Sequence, residues 1–281
     1  MRKTLICLVL IFFWLASAVA AETTPTLHVG MTPALLHDQH RLLADWRSYM
    51  ELELGRKVKF VMRDSYSETM DLLRLGRLDF AWICDYPYLR LKREVRLLAV
   101  PVYQGKPLYR SYIIVPATDS HSKSLADLRG TVFAFADPYS NSGYLYPRYA
   151  AKQLGEDPNR FFWHTFFTWS HRGVVEAVAA GLVHGGAVDS YVWDSLAELN
   201  PKLAGRTRIV ARSPEYGFPP LVARRSISSA DFQAMQRMLL DMTDNARGAE
   251  ILRRFRLDGF VEGNPKLYES VAEMMRAFGE E

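Results

Sequence analysis

Short runs of strand-forming residues alternate with helical patterns over most of this chain. Such alternation places a helix between successive strands and is typical of α/β folds with largely parallel sheets. The strand-like runs are Thr26–Gly30, Lys57–Met62, Asp79–Ile83, Leu97–Tyr103, Tyr112–Pro116, Thr131–Phe135, Gly186–Asp189, Thr207–Ala211 and Leu221–Ala223. The helical patterns include Gln39–Leu54, Ser67–Leu75, Arg172–Ala180 and Tyr191–Leu199. Between Ala230 and Phe278 there is no strand signal, so we expect only helices there.

Two segments rich in glycine, proline and aromatic residues interrupt the alternation. They are YQGKPLYRSY, Tyr103 to Tyr112, and SPEYGFPP, Ser213 to Pro220. If both segments cross between lobes, residues 112–213 form one lobe, and residues 21–111 and 214–281 form the other. Two lobes joined by two strands can close on a ligand like a hinge. The alternative is a pair of ordinary surface loops.

The first residues have the pattern of an export signal. Arg2 and Lys3 precede an apolar run, Leu5 to Leu15, and small residues follow up to Ala20. A basic start, a short apolar core and an Ala-x-Ala end are the three parts of a cleaved signal peptide. The apolar run is too short to span a bilayer comfortably, which argues against a retained membrane anchor. Such an anchor is the alternative to a cleaved signal. We expect residues 1–20 to be removed and the mature chain to be periplasmic.

Charge and cysteine content narrow the class of protein. The chain has 35 basic and 31 acidic residues, and Arg2 and Lys3 leave with the signal, so the mature chain is nearly balanced. That balance gives no reason to expect nucleic acid or an anionic membrane as a partner. Cys7 also leaves, so Cys84 has no intrachain disulfide partner and should be a buried free thiol. The sequence therefore predicts a soluble monomer stabilised by its core.

The sequence contains none of the common catalytic motifs. It has no His-Glu-x-x-His, Walker loop, Gly-x-Gly-x-x-Gly or Gly-x-Ser-x-Gly elbow. His37 and His40 could meet on one helix face, but a metal site needs further ligands, and a solvated helix start is the simpler interpretation. Ser140, His171 and Asp189 could form a hydrolytic triad, yet no motif marks the serine as a strained nucleophile. We expect no enzyme, no metal and no cofactor, with a periplasmic hydrolase as the alternative.

A polar turn follows the predicted strand Thr131–Phe135. Its sequence is SNSG, Ser140 to Gly143, and a helical pattern comes after it. Successive backbone N–H groups at a helix start, together with Ser and Asn side chains, can bind an anion. Gly143 would let the backbone approach such a ligand closely. Because of Pro147, the regular helix should begin near Tyr144 or be kinked. The alternative is a helix N-cap without a ligand.

A second segment, SHRGVVEAVAAGLVHGGAVDS, runs from Ser170 to Ser190. Ser170 can cap a helix that Gly181 ends, which places His171 in the first turn, where it can donate to an anion. The apolar residues that would face inward are Val174, Val175 and Val178. Asp189, at the end of the strand that follows, could accept from a protonated ligand oxygen or cap the next helix.

These segments together resemble the substrate-binding proteins of phosphonate, phosphite and phosphate ABC importers, a group of type II periplasmic binding proteins. The resemblance covers nearly the whole mature chain. It is carried by LHVGMTP, by LLRLGRLDFAWICDYPYL at 72–89, by PLYRSYIIVPATDSHSKSLADLRGTVFAFADPYSNSG at 107–143, and by HRGVVEAVAAGLVHGGAVDS at 171–190. It implies two α/β lobes, each a mixed, mainly parallel sheet flanked by helices, joined by two crossings.

The resemblance also implies which residues bind the ligand. In that family, the turn after a strand of the second lobe and the later histidine contact the oxyanion. Carried over, this implies an anion site made of Ser140, Asn141, Ser142 and His171, to which the turn adds Gly143. Asp189 matches an acidic position that meets the polar side of the ligand. Tyr66 and Tyr86 match aromatic positions of the first lobe that line the cleft.

Two residues depart from the family pattern. Family members usually have Thr where this chain has Asn141, and often an acidic residue where it has Arg172. Both changes could suit a different oxyanion. The predicted function is capture of a small phosphonate-, phosphite- or phosphate-like oxyanion by hinge closure, for delivery to an ABC permease. A ligand-sensing partner of a membrane receptor or kinase is the alternative within binding proteins.

Overall fold

The structure is a computed structural model that describes residues 25–32 and 40–280, so the predicted signal peptide 1–20 and His37 lie outside the described residues. Strands β1 to β13 are Leu27–Met31, Val58–Met62, Phe80–Trp82, Val95–Val102, Leu108–Tyr109, Ser111–Pro116, Val132–Phe135, His164–Phe167, Gly185–Asp189, Thr207–Arg212, Tyr216–Gly217, Leu221–Arg224 and Gly259–Glu262. Helices α1 to α10 are His40–Leu54, Tyr66–Arg74, Asp85–Arg90, Tyr146–Gln153, His171–Ala179, Ser190–Leu199, Pro201–Ala204, Ser229–Leu240, Ala246–Phe255 and Glu269–Ala277. No helix in this part of the chain is both long and apolar enough to cross a membrane.

The first lobe is built on a six-stranded sheet with the order β13-β4-β12-β3-β1-β2. Strand β1 pairs in parallel with β2 and β3, whereas β12 and β13 run antiparallel to their neighbours. Strand β13 shows that the expectation of helices alone between Ala230 and Phe278 is wrong. It has four residues, Gly259–Glu262, and the last two are exposed. So short a strand at a sheet edge carries too little apolar pattern to be read from sequence.

The second lobe has a five-stranded sheet with the order β10-β6-β9-β7-β8. Strand β7 pairs in parallel with β8 and β9, and β6 pairs antiparallel with β9 and β10. The predicted mixed α/β lobes are confirmed, but the expected excess of parallel pairs is wrong. The reason is topological. Strands β6 and β12 begin just after the two crossings, so they enter their sheets from the other end and run against their neighbours.

The two predicted crossings pair with each other. Strand β5 lies in the first segment and β11 in the second, and they form a two-stranded antiparallel sheet in which Tyr109 is opposite Tyr216. Because both connections between the lobes share this one sheet, a rotation about it can move one lobe against the other.

Aromatic side chains fill the core of each lobe. In the first lobe, Trp46 packs edge-on against Trp82 and Phe255, with ring centroids 6.0 and 5.1 Å apart. In the second lobe, Phe133 stacks on Phe162 at 4.1 Å. The larger buried apolar cluster continues from the first lobe into the second, and a smaller one lies within the second lobe alone.

Candidate ligand-binding cleft

The polar turn begins a helix of two parts. The Ser140 side chain accepts a hydrogen bond from Gly143 N–H at 2.9 Å, and residues Asn141–Leu145 form a π-helical turn that continues into α4. Pro147 lies just after the π-helical turn, and the carbonyl groups that its missing N–H would have met have other partners: Ser142 O accepts from Ser111 Oγ and Gly143 O from Ala136 N–H. The first N–H groups of a helix have no intrahelical partner. Gly143 N–H is used by Ser140 Oγ and Asn141 N–H faces the Cys84 sulfur, so Ser142 N–H is the next donor at the start of this turn.

The packing around Gly143 leaves no room for a side chain. A Cβ atom at this position would lie 2.5 Å from Ala136 Cβ, 3.0 Å from Ser140 Oγ and 3.1 Å from His171 Cε1. Gly143 was predicted to let the turn approach a ligand; in the structure it lets the turn approach Ala136, the residue after β7, and His171 of α5. It brings the turn and His171 into one buried group.

His171 begins α5, which Ser170 caps by accepting from Gly173 N–H at 3.0 Å. The imidazole is 1% exposed. Its Nδ1 accepts from the Asp189 backbone N–H at 3.1 Å, and its Nε2 lies 3.4 Å from Ser140 Oγ. An accepting Nδ1 assigns the ring proton to Nε2. Burial also lowers the pKa of His171 to about 3. The ring is thus a neutral donor that faces the turn.

Asp189 ends β9 and caps α6. One carboxyl oxygen, Oδ1, accepts from the N–H groups of Tyr191 at 2.8 Å and Val192 at 3.3 Å. Burial is the main cause that raises the pKa of Asp189 to about 8, and the charges of Asp85 and Asp194 add to it. These hydrogen bonds to the carboxylate act in the opposite direction. The carboxyl group does not contact the His171 ring as a catalytic triad requires, because Nδ1 takes the backbone N–H instead.

A small cavity lies where the two lobes meet. It is lined by Thr32, Tyr66, Trp82, Cys84, Asp189, Tyr191, Phe218 and Pro219. Its space for a water-sized sphere is about 10 Å³, roughly what one water molecule needs. The lobes are therefore closed in this conformation, and a larger ligand can enter only when they separate.

A buried network at the hinge contains residues that the sequence did not single out. Asp85 is fully buried and accepts from Cys84 Sγ at 2.9 Å, Tyr109 OH at 3.1 Å and Asn141 Nδ2 at 2.7 Å. Burial raises the pKa of Asp85 to about 6, against these hydrogen bonds. Cys84 is free and buried, as predicted. The one signal for Asp85 in the sequence was a charged residue three positions after an apolar strand.

The network changes the interpretation of Asn141. Its amide N–H₂ was expected to face an anion, but it donates to Asp85 and to the Tyr109 hydroxyl across the cleft. Its Oδ1 is buried and has no hydrogen-bond partner among the described residues, and the same holds for Ser142 Oγ. A buried polar atom that lacks a partner costs free energy. Ser142 Oγ is therefore the side-chain donor of the turn that is available to a ligand.

The two tyrosines predicted for the first lobe differ in position. Tyr66 lines the cavity, and its backbone N–H donates to Asp137 Oδ2 of the second lobe at 3.0 Å. The Tyr86 hydroxyl instead donates to Glu280 at 2.6 Å, and its ring lies 6.2 Å from that of Tyr139. Tyr86 thus lies beside the C-terminal segment. Of the residues predicted to bind a ligand, Tyr66 and Asp189 line the cavity, whereas the Ser140–Gly143 turn, His171 and Tyr86 do not.

A larger depression of about 380 Å³ lies on the outer face of the first lobe. Three carboxylates, Glu53, Asp241 and Asp244, line it beside Arg237. It is open to solvent, and none of the residues predicted to bind a ligand lines it. The buried polar groups converge on the cleft between the lobes, so the cleft is the candidate site.

Two α/β lobes, joined by two paired crossings and closed over buried polar groups, define a type II periplasmic binding protein. Solved structures agree with this fold. The chain aligns with a binding protein component of an ABC phosphonate transporter from Pseudomonas aeruginosa at a TM-score of 0.82 and 22% identity, covering 89% of this chain and 85% of that one. It aligns with PhnD1 of Prochlorococcus marinus, solved with methylphosphonate, at 0.81 and 21% identity, covering 91% and 99%.

Sequence comparison identifies the family. A family model described as the periplasmic substrate-binding protein of a phosphonate ABC transporter matches residues 29–268. The chain is 23% identical over 260 residues to the phosphate-import protein PhnD of Mycolicibacterium smegmatis, covering 88% of this chain and 75% of that protein. It is 26% identical over 225 residues to the phosphonates-binding periplasmic protein of Escherichia coli, covering 76% and 65%. The chain belongs to the family of periplasmic phosphonate-binding proteins of ABC transporters.

Proposed function

We propose that this chain captures a small phosphorus oxyanion, such as phosphate, phosphite or an alkylphosphonate, and delivers it to an ABC permease. The observation that carries the proposal is the buried meeting of the Ser140–Gly143 turn with His171 Nε2, 3.4 Å from Ser140 Oγ. Backbone N–H groups at the start of the turn, Ser142 Oγ and a neutral imidazole N–H are donors that suit an oxyanion. All of these groups lie on the second lobe.

Hinge closure completes the site in this proposal. Tyr66 and Cys84 of the first lobe cover the cavity that Asp189 lines from the second lobe. Closure removes water from these groups, and each hydrogen bond to a charged ligand becomes stronger in the drier environment. The contact between Asp137 and Tyr66 N–H joins the lobes directly and stabilises the closed form.

The remaining expectations are part of the same proposal. Residues 112–213 form the second lobe and move as a unit against residues 21–111 and 214–281. The chain acts as a monomer without a nucleic-acid partner. It also acts as a binding protein and not as a hydrolase, a proposal supported by the His171 Nδ1, which accepts from the Asp189 backbone N–H and not from its carboxyl group. Export removes residues 1–20, and an intact mass of the periplasmic protein that retained them would contradict this.

Titration calorimetry of Ser142→Ala tests the proposed site. A thermal-shift panel of phosphate, phosphite, methylphosphonate and sulfate first identifies the best ligand. Loss of one hydrogen bond to a charged ligand should weaken binding about tenfold to a hundredfold. Ser195→Ala is the matched control, because Ser195 Oγ is also buried without a partner but lies on α6, away from the turn. Equal affinity in Ser142→Ala and Ser195→Ala would contradict the anion site.

A further inference from the structure

The cavity contains a carboxyl group and no basic side chain. Of the residues that line it, all within the described part of the chain, Asp189 is the one carboxylic acid, and none is Lys or Arg. His171 is a neutral donor, since its Nδ1 accepts the Asp189 N–H. A fully ionised oxyanion beside an ionised Asp189 would place like charges together in a dry site.

The geometry of Asp189 offers a way to avoid that repulsion. Its Oδ1 is fixed by the N–H groups of Tyr191 and Val192 at the start of α6. Its Oδ2 accepts from none of the described residues and belongs to a side chain that lines the cavity. A proton on Oδ2 would convert this oxygen from an acceptor into a donor aimed at the ligand, without disturbing the cap.

The groups that surround Asp189 keep this proton in place. The acidic groups that act on it are Asp85 of α3 and Asp194 of α6. The phenol and imidazole groups that face it are Tyr66 of α2, Tyr103 after β4, Tyr109 of β5, Tyr191 of α6 and His171 of α5. None of them is a cation that would hold Asp189 in its ionised form. Burial raises the pKa of Asp189 to about 8 in agreement with this environment.

We propose that Asp189 determines the charge form of the ligand, because the closed complex holds one proton between the Asp189 carboxyl and the bound oxyanion. This inference rests on the proposed function. It deepens that function by stating that the cleft takes an oxyanion together with a proton. Asp189 is thus a hydrogen-bond donor to the ligand at neutral pH, and the bond is lost when the shared proton is removed.

The test is titration calorimetry with methylphosphonate as a function of pH. In the open, ligand-free protein Asp189 is in contact with water and is ionised at alkaline pH, whereas burial in the closed cleft raises its pKa to about 8. Binding must therefore return a proton to the site, and this becomes harder as the pH rises. The affinity of the wild type should therefore fall about tenfold between about pH 8 and about pH 9.5. At about pH 9, buffers that differ in ionisation enthalpy should report uptake of about one proton per ligand bound.

Asp189→Asn is the decisive variant. The Asn side chain keeps an oxygen for the Tyr191 and Val192 N–H groups and provides an N–H donor in place of the protonated oxygen. Its affinity should change less than about twofold over the same pH range, with almost no proton uptake. Asp194→Asn, which removes the neighbouring carboxyl on α6, should still show proton uptake.

Three results would overturn the inference. A flat pH profile in the wild type, or equal proton uptake in Asp189→Asn, would show that the Asp189 carboxyl holds no shared proton. A larger loss in Asp189→Asn for aminomethylphosphonate than for methylphosphonate would show that Asp189 is ionised and binds a cation. If phosphate, phosphite and methylphosphonate all fail to bind the wild type at every pH, the proposed function itself is wrong and the inference falls with it.

Discussion

His171 has two ring nitrogens with separate tasks. Nδ1 accepts from Asp189 N–H, and Nε2 is the donor that faces the turn. Asn can place its side-chain oxygen near the position of Nδ1 but reaches no further, so His171→Asn removes the donor and retains the acceptor. We expect its affinity for methylphosphonate to fall at least about tenfold, the effect of one hydrogen bond to a charged ligand. Titration calorimetry measures this loss.

The matched control for that variant is His164→Asn, since His164 lies exposed at the start of β8. It should leave affinity unchanged.

His171→Ala should also lower the free energy of unfolding, by about 1–3 kcal/mol, because it leaves the buried Asp189 N–H without an acceptor. In the closed form burial lowers the pKa of His171 to about 3, so the ring in the complex is neutral near pH 6.5. Unchanged affinity in a folded His171→Asn would remove this residue from the site.

Gly143 tests how tightly the turn is packed. Gly143→Ala places a methyl group 2.5 Å from Ala136 Cβ, and overpacking of this kind typically costs about 1–3 kcal/mol of unfolding free energy. Urea denaturation should show that loss. The double variant with Ala136→Gly should recover part of it, because the closest contact is then removed. An unaltered midpoint in Gly143→Ala would contradict the close contact of the turn with β7.

At the scale of elements, α5 holds His171 through the cap at Ser170. Ser170→Ala removes the acceptor for Gly173 N–H and should cost about 1 kcal/mol of unfolding free energy. Ser228→Ala is the matched control, because Ser228 caps α8 in the first lobe through Asp231 N–H. Urea denaturation should give similar losses for both variants. Calorimetry should show weaker methylphosphonate binding for Ser170→Ala alone. Equal affinities in the two variants would show that the Ser170 cap does not support the binding site.

Elements with a local signal were predictable. Helices α5 and α6 lie within one residue of their predicted starts, since Ser170 and Asp189 are caps that the sequence displays. Strand β13 was missed because its pairing with β4 depends on tertiary structure. The π-helical start of the turn was also unexpected, because it depends on packing against β7 and α5 that no local pattern shows.

The cleft was predictable in part for the same reason. Ser140 and His171 stood out because each lies at the start of a helix, the usual position of an anion donor. Asp85 and Tyr109 did not, since their hydrogen bonds to Asn141 join three elements far apart in the chain. Tyr86 was assigned to the cleft by resemblance alone, and the hydroxyl lies against Glu280 instead.

At the scale of the whole molecule, the C-terminal segment joins the two lobes in the closed conformation. The Phe278 ring lies 4.7 Å from the Arg148 guanidinium and 5.3 Å from the Lys152 ammonium of α4 in the second lobe. Glu280 pairs with Arg90 of α3 in the first lobe at 2.5 Å. These contacts add to the hinge and to the Asp137–Tyr66 bond.

Phe278→Ala should therefore weaken ligand binding without touching the cleft. Phe278 is partly buried, and the loss of a cation–π contact there is worth at least about 0.5–1 kcal/mol, or about twofold to fivefold in affinity. Titration calorimetry with methylphosphonate measures the change. Leu199→Ala, which alters an exposed apolar residue of the second lobe, should have no effect. The same affinity in both variants would show that the C-terminal segment does not stabilise closure.

Capture by hinge closure is most directly tested by small-angle X-ray scattering with and without saturating methylphosphonate. The closed cavity holds about 10 Å³ of free space, so the lobes must separate before a phosphonate can enter. Ligand-free protein should therefore have the larger radius of gyration, and methylphosphonate should reduce it. Identical scattering curves for the free protein and for protein that calorimetry shows to be saturated would contradict capture by closure.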